Sequence, residues 1–216
     1  MIKQETLAFL TEIVENNNRE WFALNKDRYE TAKADVLAFI DELIPVLSKI
    51  DPETQTEAKK CLMRIYRDIR FSKNKAPYKN NYGISFSIKG NKGPEYYLHL
   101  QPGKSFFAGG YWMPEAADLK NIREEIDYNT SEFLEIIQAK SFASLFKLST
   151  EDSLKKAPKG YDPAHPQIEL LKLKSYIATI PISDEELFKP TIVNHLKKAF
   201  EGVYPFVQFL KRAVVQ

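Results

Sequence analysis

Leu7, Leu10, Ile13 and Val14 recur at the spacing of one helical face, and Asn16-Asn17-Asn18 supplies its end, because Asn tolerates left-handed backbone. Asn18 is placed to cap a short turn through Arg19-Glu20-Trp21-Phe22. Tyr29, Val36, Ile40, Leu43 and Leu47 then mark one face of a long second helix, which Pro45 is expected to kink or end early. Met63 to Phe71 fits either period: Leu62, Ile65 and Ile69 suit a helix, whereas Met63, Ile65, Ile69 and Phe71 suit a strand. The strand, running into a loop, is the preferred reading.

The middle of the chain alternates. Ile84, Phe86 and Ile88 interleave with Ser85 and Ser87, and Gly90-Asn91-Lys92-Gly93-Pro94 turns the chain into Tyr96-Tyr97-Leu98-His99-Leu100, which predicts a hairpin. A third strand, Ser105 to Tyr111, carries Gly109-Gly110, read as a bulge that lets a helix pack closely in preference to a ligand contact. Leu119, Ile122, Arg123 and Ile126 define a helix, and Asn129 with Glu132 resembles the start of another before Phe133, Ile136 and Ile137. A proline-stiffened loop from Pro158 to Pro166 leads to a short helix at Leu170-Leu171 and a strand at Tyr176 to Ile180. Ser183 and Glu186 form a capping box, and Ile192, Leu196, Phe200, Val203, Val207 and Leu210 carry a C-terminal helical face, kinked at Pro205. Strands in the middle with helices on either side predict an α+β fold: a mainly antiparallel sheet of about four to five strands with N-terminal and C-terminal helices packed against it.

Composition bounds this picture without changing it. The chain has 216 residues, 44% apolar and 28% charged, which suits one globular domain over residues 1–216. A net charge of +2 implies no nucleic-acid partner by itself. The single cysteine, Cys61, excludes an internal disulfide, and with three scattered histidines it makes no zinc spacing, so no metal site is expected and no cofactor follows. The start, Met-Ile-Lys-Gln-Glu, lacks the pattern of a secretory signal, and no apolar run is long enough to span a membrane. These readings place the protein in the cytoplasm, away from membranes.

Charge does change the picture at one place. Between Arg64 and Tyr82 six side chains are cationic and only Asp68 is acidic. Such clustering points to an anion site, because like charges repel unless carboxylates dilute them. Arg64, Arg67, Asp68, Arg70, Lys75, Tyr78 and Lys79 are the candidate ligand-binding residues, with Arg67, Arg70 and Lys75 foremost. Tyr161, with the loop to His165, is a candidate second wall. The opposing reading has Arg67 and Asp68 orienting the loop while the lysines are solvated.

The other chemistry is sparser. His99 shares a polar strand face with Tyr97 and Gln101 and is a candidate general acid or base, although a hydrogen-bonded surface role is preferred. His165 is a second candidate, alternatively pairing with Asp162 or capping the next helix, and His195 is assigned to a helix surface. Trp21, Phe22 and Trp112 read as core or edge-of-core aromatics, and Asp184, Glu185 and Glu186 as helix-start residues in place of metal ligands.

Four stretches together resemble a known family: Asn17-Asn18-Arg-Glu-Trp21-Phe22, the segment Arg64 to Lys79, Gly109-Gly110 with Trp112 and Pro114, and Ala157 to Pro166. Their combination is similar to the conserved proteins grouped as domain of unknown function 2461, and the resemblance runs over nearly the whole chain. It implies no activity, cofactor or catalytic residue. In that family's pattern an Arg is common where Lys159 stands and an acidic residue where Asn74 stands.

The expected function is binding of a phosphorylated or other anionic small molecule through Arg64 to Lys79. The alternatives are a nucleic-acid-binding module, in which Tyr66, Tyr78 and Tyr82 stack on bases between the cations, and an enzyme using His99 or His165 on an anionic substrate. A basic loop docking an acidic protein is the remaining reading.

Overall fold

The computed structural model of the protein describes residues 1–86 and 92–214. Helix α1 (Gln4–Glu15) buries Leu7, Leu10 and Ile13 but leaves Val14 exposed. Asn16 ends it at φ −122°, outside the left-handed region, its side-chain amide donating to the Glu12 carbonyl. In α2 (Arg19–Leu24) the Asn18 side chain accepts from the Trp21 N–H at 2.8 Å, the cap read from sequence. Helix α3 (Lys26–Ile50) continues past Pro45. The proline and Asp41, one turn earlier, both face water, so the carbonyl that loses its N–H partner is solvated and the helix does not end there. A short α4 (Ala58–Cys61) follows.

Strands β1 (Tyr82–Phe86), β2 (Glu95–Leu100) and β3 (Ser105–Tyr111) form an antiparallel meander. Ile88 and the Gly90-Asn91 part of the expected turn lie outside the described residues. Helices α5 (Ala116–Tyr128), α6 (Thr130–Gln138) and α7 (Lys140–Ala143) come next, then a two-residue strand β4 (Lys147–Leu148). Asn129 does not cap α6: its amide turns back to Glu125, and Glu132 pairs with Arg212 instead. The chain continues through α8 (Ile168–Leu171), β5 (Tyr176–Ile182), α9 (Asp184–Leu187) with its Ser183–Glu186 capping box, and α10 (Ile192–Val214). Pro205 and Glu201 are both exposed, so α10 runs past its proline for the same reason as α3.

The sheet order is β1-β2-β3-β5-β4, all antiparallel. The fold is therefore α+β. Alternation gives the sheet two unlike faces. One carries Ile84, Phe86, Tyr96, Leu98, Phe107, Ala178 and Ile180, all buried, and α10 packs across it. Phe200 of α10 receives the rings of Phe86, Tyr96 and Phe107 edge-on at 5.9, 5.7 and 5.1 Å, a favoured aromatic arrangement. The other face carries Ser85, Glu95, Tyr97, His99, Phe106, Ala108 and Ile177 and is only partly covered.

Two expectations need correction here. Gly109 and Gly110 are not a bulge: they pair in unbroken register with Tyr96 and Glu95 on one side and with Ala178 and Ile177 on the other. Close helix packing is nonetheless the role of Gly109, where a Cβ would lie 2.6 Å from the Val203 side chain. Met63 to Phe71 is not a strand: next to it the chain meets the sheet through the isolated Leu62–Ile84 bridge, and it pairs with its own return through Tyr66–Tyr78. Among the described residues no helix is long and apolar enough to cross a membrane.

Candidate functional site

The Arg64 to Tyr82 segment is a hairpin-like loop beside edge strand β1. The Met63 N–H donates to the Gly83 carbonyl at 2.9 Å, Arg67 to Pro77 at 2.9 Å, and Lys79 to Ile65 at 2.8 Å. Tyr78 stacks on Phe22 at 4.0 Å, and the Asn17 amide grips the Tyr78 backbone at both its N–H and carbonyl, each 3.0 Å away. Most of the expected cationic site is spent inside the loop. The Arg67 guanidinium donates to the Ala76 carbonyl, Arg70 forms a two-point pair with Asp68, and the Lys75 ammonium donates to the Ile69 carbonyl. Arg70 holds the Asp68 carboxyl below its ordinary range. Arg64, Lys73 and Lys79 have no bonded partner among the described residues. Burial, and then the charge of Arg64, lower the pKa of Lys79, so these two cations lie near one another.

The proposed second wall is elsewhere. Tyr161 lies among Asp127, Glu124 and Arg123 of α5 and near Tyr176 of β5, whereas the basic loop adjoins β1, three strands across the sheet. His165 donates or accepts through Nε2 at 2.9 Å from Asp127, and its Nδ1 accepts from the Gln167 N–H just before α8. Asp162 bonds the Ala164 N–H. His195 is half-buried and sits 3.2 Å from Glu186, so it is less of a surface residue than its position suggested.

The basic loop nevertheless borders a real concavity. On the partly covered face of the sheet lies a cavity of about 340 Å³, within the ordinary size range of small-molecule sites. Tyr97, Phe106 and Ile177 project into it from three neighbouring strands, and Ala108 and Gly110 keep its floor low. Met63 closes one side and Trp112 another. Trp112 is not a core residue: it is 67% exposed, carried outward where the chain leaves β3 through Met113 at φ 48°. Gly83 makes room at the β1 side, since a Cβ there would lie 2.8 Å from the Tyr97 hydroxyl and 3.0 Å from the Met63 sulfur.

One carboxyl enters this apolar space. Glu95 accepts a short hydrogen bond from the Ser85 hydroxyl at Oε2, and its Oε1 has no bonded partner among the described residues. Burial raises its pKa, the Ser85 bond offsetting part of that. Burial and then the nearby Glu95 likewise push up the Tyr97 phenol. Beyond Tyr97 runs a polar row: His99 Nδ1 faces the Tyr97 hydroxyl at 3.1 Å and the Asn81 amide at 3.4 Å, while Nε2 faces the Gln101 oxygen at 2.9 Å. Two donors at Nδ1 and an acceptor at Nε2 assign the proton to Nε2. The ring also stacks on Phe106 at 4.8 Å, so His99 braces the cavity wall from behind.

A family model described as "Conserved hypothetical protein (DUF2461)" matches residues 5–209. The chain belongs to the DUF2461 family. No curated protein matches it. In this DUF2461 member two of the stretches that carried the resemblance meet directly, Asn17 and Phe22 holding Tyr78. A third, Gly109-Gly110 with Trp112, lines the cavity.

Sequence reasoning missed Glu95, Met63 and Trp112 as site residues. The alternation that put Tyr97, His99 and Gln101 on one face reaches Glu95 two residues earlier, and that was the available signal. Nothing local marks Met63 or Trp112, whose roles depend on how distant loops fold over the sheet.

Proposed function

We propose that this protein binds a small molecule whose apolar body lodges in the cavity between Met63, Phe106 and Trp112 and whose anionic group reaches Arg64 and Lys79. The cavity is the observation that carries the reading. Its walls are aromatic and aliphatic, a few polar groups converge on it, and it is the kind of concavity a small ligand fills. The anionic part rests on position. Arg64 follows the wall residue Met63, so their Cα atoms are about 3.8 Å apart. Arg64 and Lys79 are also cations that the loop does not consume, unlike Arg67, Arg70 and Lys75.

Two dyes test this directly. Anilinonaphthalene sulfonate has an apolar planar body and an anionic group, whereas N-phenyl-1-naphthylamine has nearly the same body without the charge. Both should fluoresce on binding, and Ala108→Trp, which fills the cavity, should abolish both signals while far-UV dichroism stays unchanged. Replacing Arg64 and Lys79 by Ala should weaken only the sulfonate by about tenfold, the scale of one charge-assisted contact. Binding that survives Ala108→Trp would refute the cavity, and equal losses for both dyes would refute the anionic end.

A second reading is single-stranded nucleic acid on the basic loop, favoured by the exposure of Phe71 at 94% and Tyr66 at 51% beside its cations. It requires affinity for a short oligonucleotide that falls steeply with salt and is lost in Phe71→Ala.

A further inference from the structure

We propose that the inner end of the cavity receives an organic ammonium group, held by Glu95 and by the faces of the surrounding aromatic rings. This rests on the ligand-binding reading above and specifies the chemistry of the ligand's buried end. The charge inventory leads to it. Among the described residues lining the cavity Glu95 alone carries a charge at neutral pH in its ionised form, and none of them is a Lys, Arg or His. The cation nearest in sequence, Lys92, is turned to Glu115 at 3.0 Å. Among the described residues the Glu95 carboxyl therefore meets no cation, and only one of its oxygens is occupied, by the Ser85 hydroxyl.

The space in front of the carboxyl is kept open by the sheet itself. Glu95 pairs with Gly110 across the β2–β3 ladder, and Gly110 pairs in turn with Ile177, so the position beside the carboxyl has no side chain. Around that gap stand Trp112, Tyr97 and Phe106. Aromatic faces attract an ammonium through the ring quadrupole, and the attraction grows when the cation is partly desolvated. A carboxylate beside such rings suits a cation with an apolar body and leaves an anion unfavoured at this end. Burial already raises the Glu95 pKa, the Ser85 hydrogen bond offsetting only part of that, consistent with a carboxyl that has no cationic partner among the described residues. Together with the anionic group proposed above for Arg64 and Lys79, the whole ligand is amphoteric: an amine at Glu95 and an acid group at the other end.

Tryptamine and tryptophol separate this from generic apolar binding, because they share an indole and differ in an ammonium against a hydroxyl. Titration calorimetry on the full chain at neutral pH should give tryptamine an advantage of at least about tenfold over tryptophol. Glu95→Gln keeps the side-chain volume and should shrink that advantage to about twofold or less, through a loss in tryptamine affinity with tryptophol unchanged. Thermal unfolding checks that the variant is folded. Equal binding of the two compounds to wild type, or an advantage that survives Glu95→Gln, overturns the proposal. If tryptophol and the neutral naphthylamine dye bind but tryptamine gains nothing, the ammonium proposal alone fails. If neither indole nor either dye binds, the cavity reading falls with it.

Discussion

The ammonium of Lys211 lies 2.7 Å from the Oδ2 of Asp51, a carboxylate that is only 1% exposed. Asp51 ends α3, Lys211 sits near the end of α10, and the Tyr96 hydroxyl and the Gln208 amide donate to the same oxygen at 2.9 and 3.1 Å. This one buried oxygen ties the long helices to the middle of the sheet. Removing the cation leaves a buried charge with neutral partners only, and such losses are strongly destabilising. Lys211→Ala should lower unfolding stability by about 3 kcal/mol, measured by urea denaturation with an unchanged slope. A loss under about 1 kcal/mol would mean that Tyr96 and Gln208 suffice.

Glu95 contributes to stability with the opposite dependence on charge. Its folded pKa is raised by burial, so the folded protein favours the protonated form. The associated stability is fully present below the ordinary Glu value of about 4.3 and is lost as pH rises through the raised folded pKa. Glu95→Gln removes that loss. The variant should match wild type near pH 4 and be the more stable of the two near pH 8, read as paired urea midpoints. A variant equally or less stable at the higher pH would show that the carboxylate is well solvated.

Gly109 and Gly110 are neighbours with different constraints. Gly110 has φ +130°, and a Cβ there would lie 2.0 Å from the Tyr176 carbonyl oxygen, so Gly110→Ala should cost more than about 3 kcal/mol. At Gly109 the obstacle is the Val203 side chain of α10. Gly109→Ala should therefore be partly rescued by Val203→Ala, with a coupling of about 1 kcal/mol in a double-mutant cycle, while Gly110→Ala should not be.

The basic loop is anchored through Asn17, which both donates to and accepts from the Tyr78 backbone. Asn17→Asp keeps the shape and loses the donor. It should cost about 1 kcal/mol and speed tryptic cleavage within Arg70 to Lys75, with Arg67→Ala producing the same cleavage pattern by freeing the Ala76 carbonyl. Unchanged cleavage in both variants would mean that the Phe22–Tyr78 stack holds the loop unaided.

The helices and the strand alternation were legible because each depends on a local period. Phe200, Val203 and Leu210 lie on one face of α10 at 3.6-residue spacing, and Tyr96, Leu98 and Leu100 lie on one face of β2. The capping roles of Asn18 and Ser183 were legible for the same reason. What charge clustering could not convey is how cations are used once the chain folds back. Arg67 and Lys75 bond carbonyls of their own loop, which leave no trace in side-chain composition. Pro45 does not end α3, because whether a proline ends a helix depends on whether the deprived carbonyl faces water. The cavity needs Met63, Glu95 and Trp112 together, three residues from separate segments whose meeting is set by the order of the strands.

Helix α10 touches β3, α3, α5, α6 and α7, and every one of them precedes it in the chain. Until it emerges, Phe86, Tyr96 and Phe107 have no Phe200 to pack against, and Asp51 has no cation. A nascent chain stalled at Thr191 therefore carries an uncovered apolar sheet, the kind of surface that engages chaperones or aggregates. Synthesis of this protein should show one step in protease resistance as α10 becomes available, in place of a gradual rise.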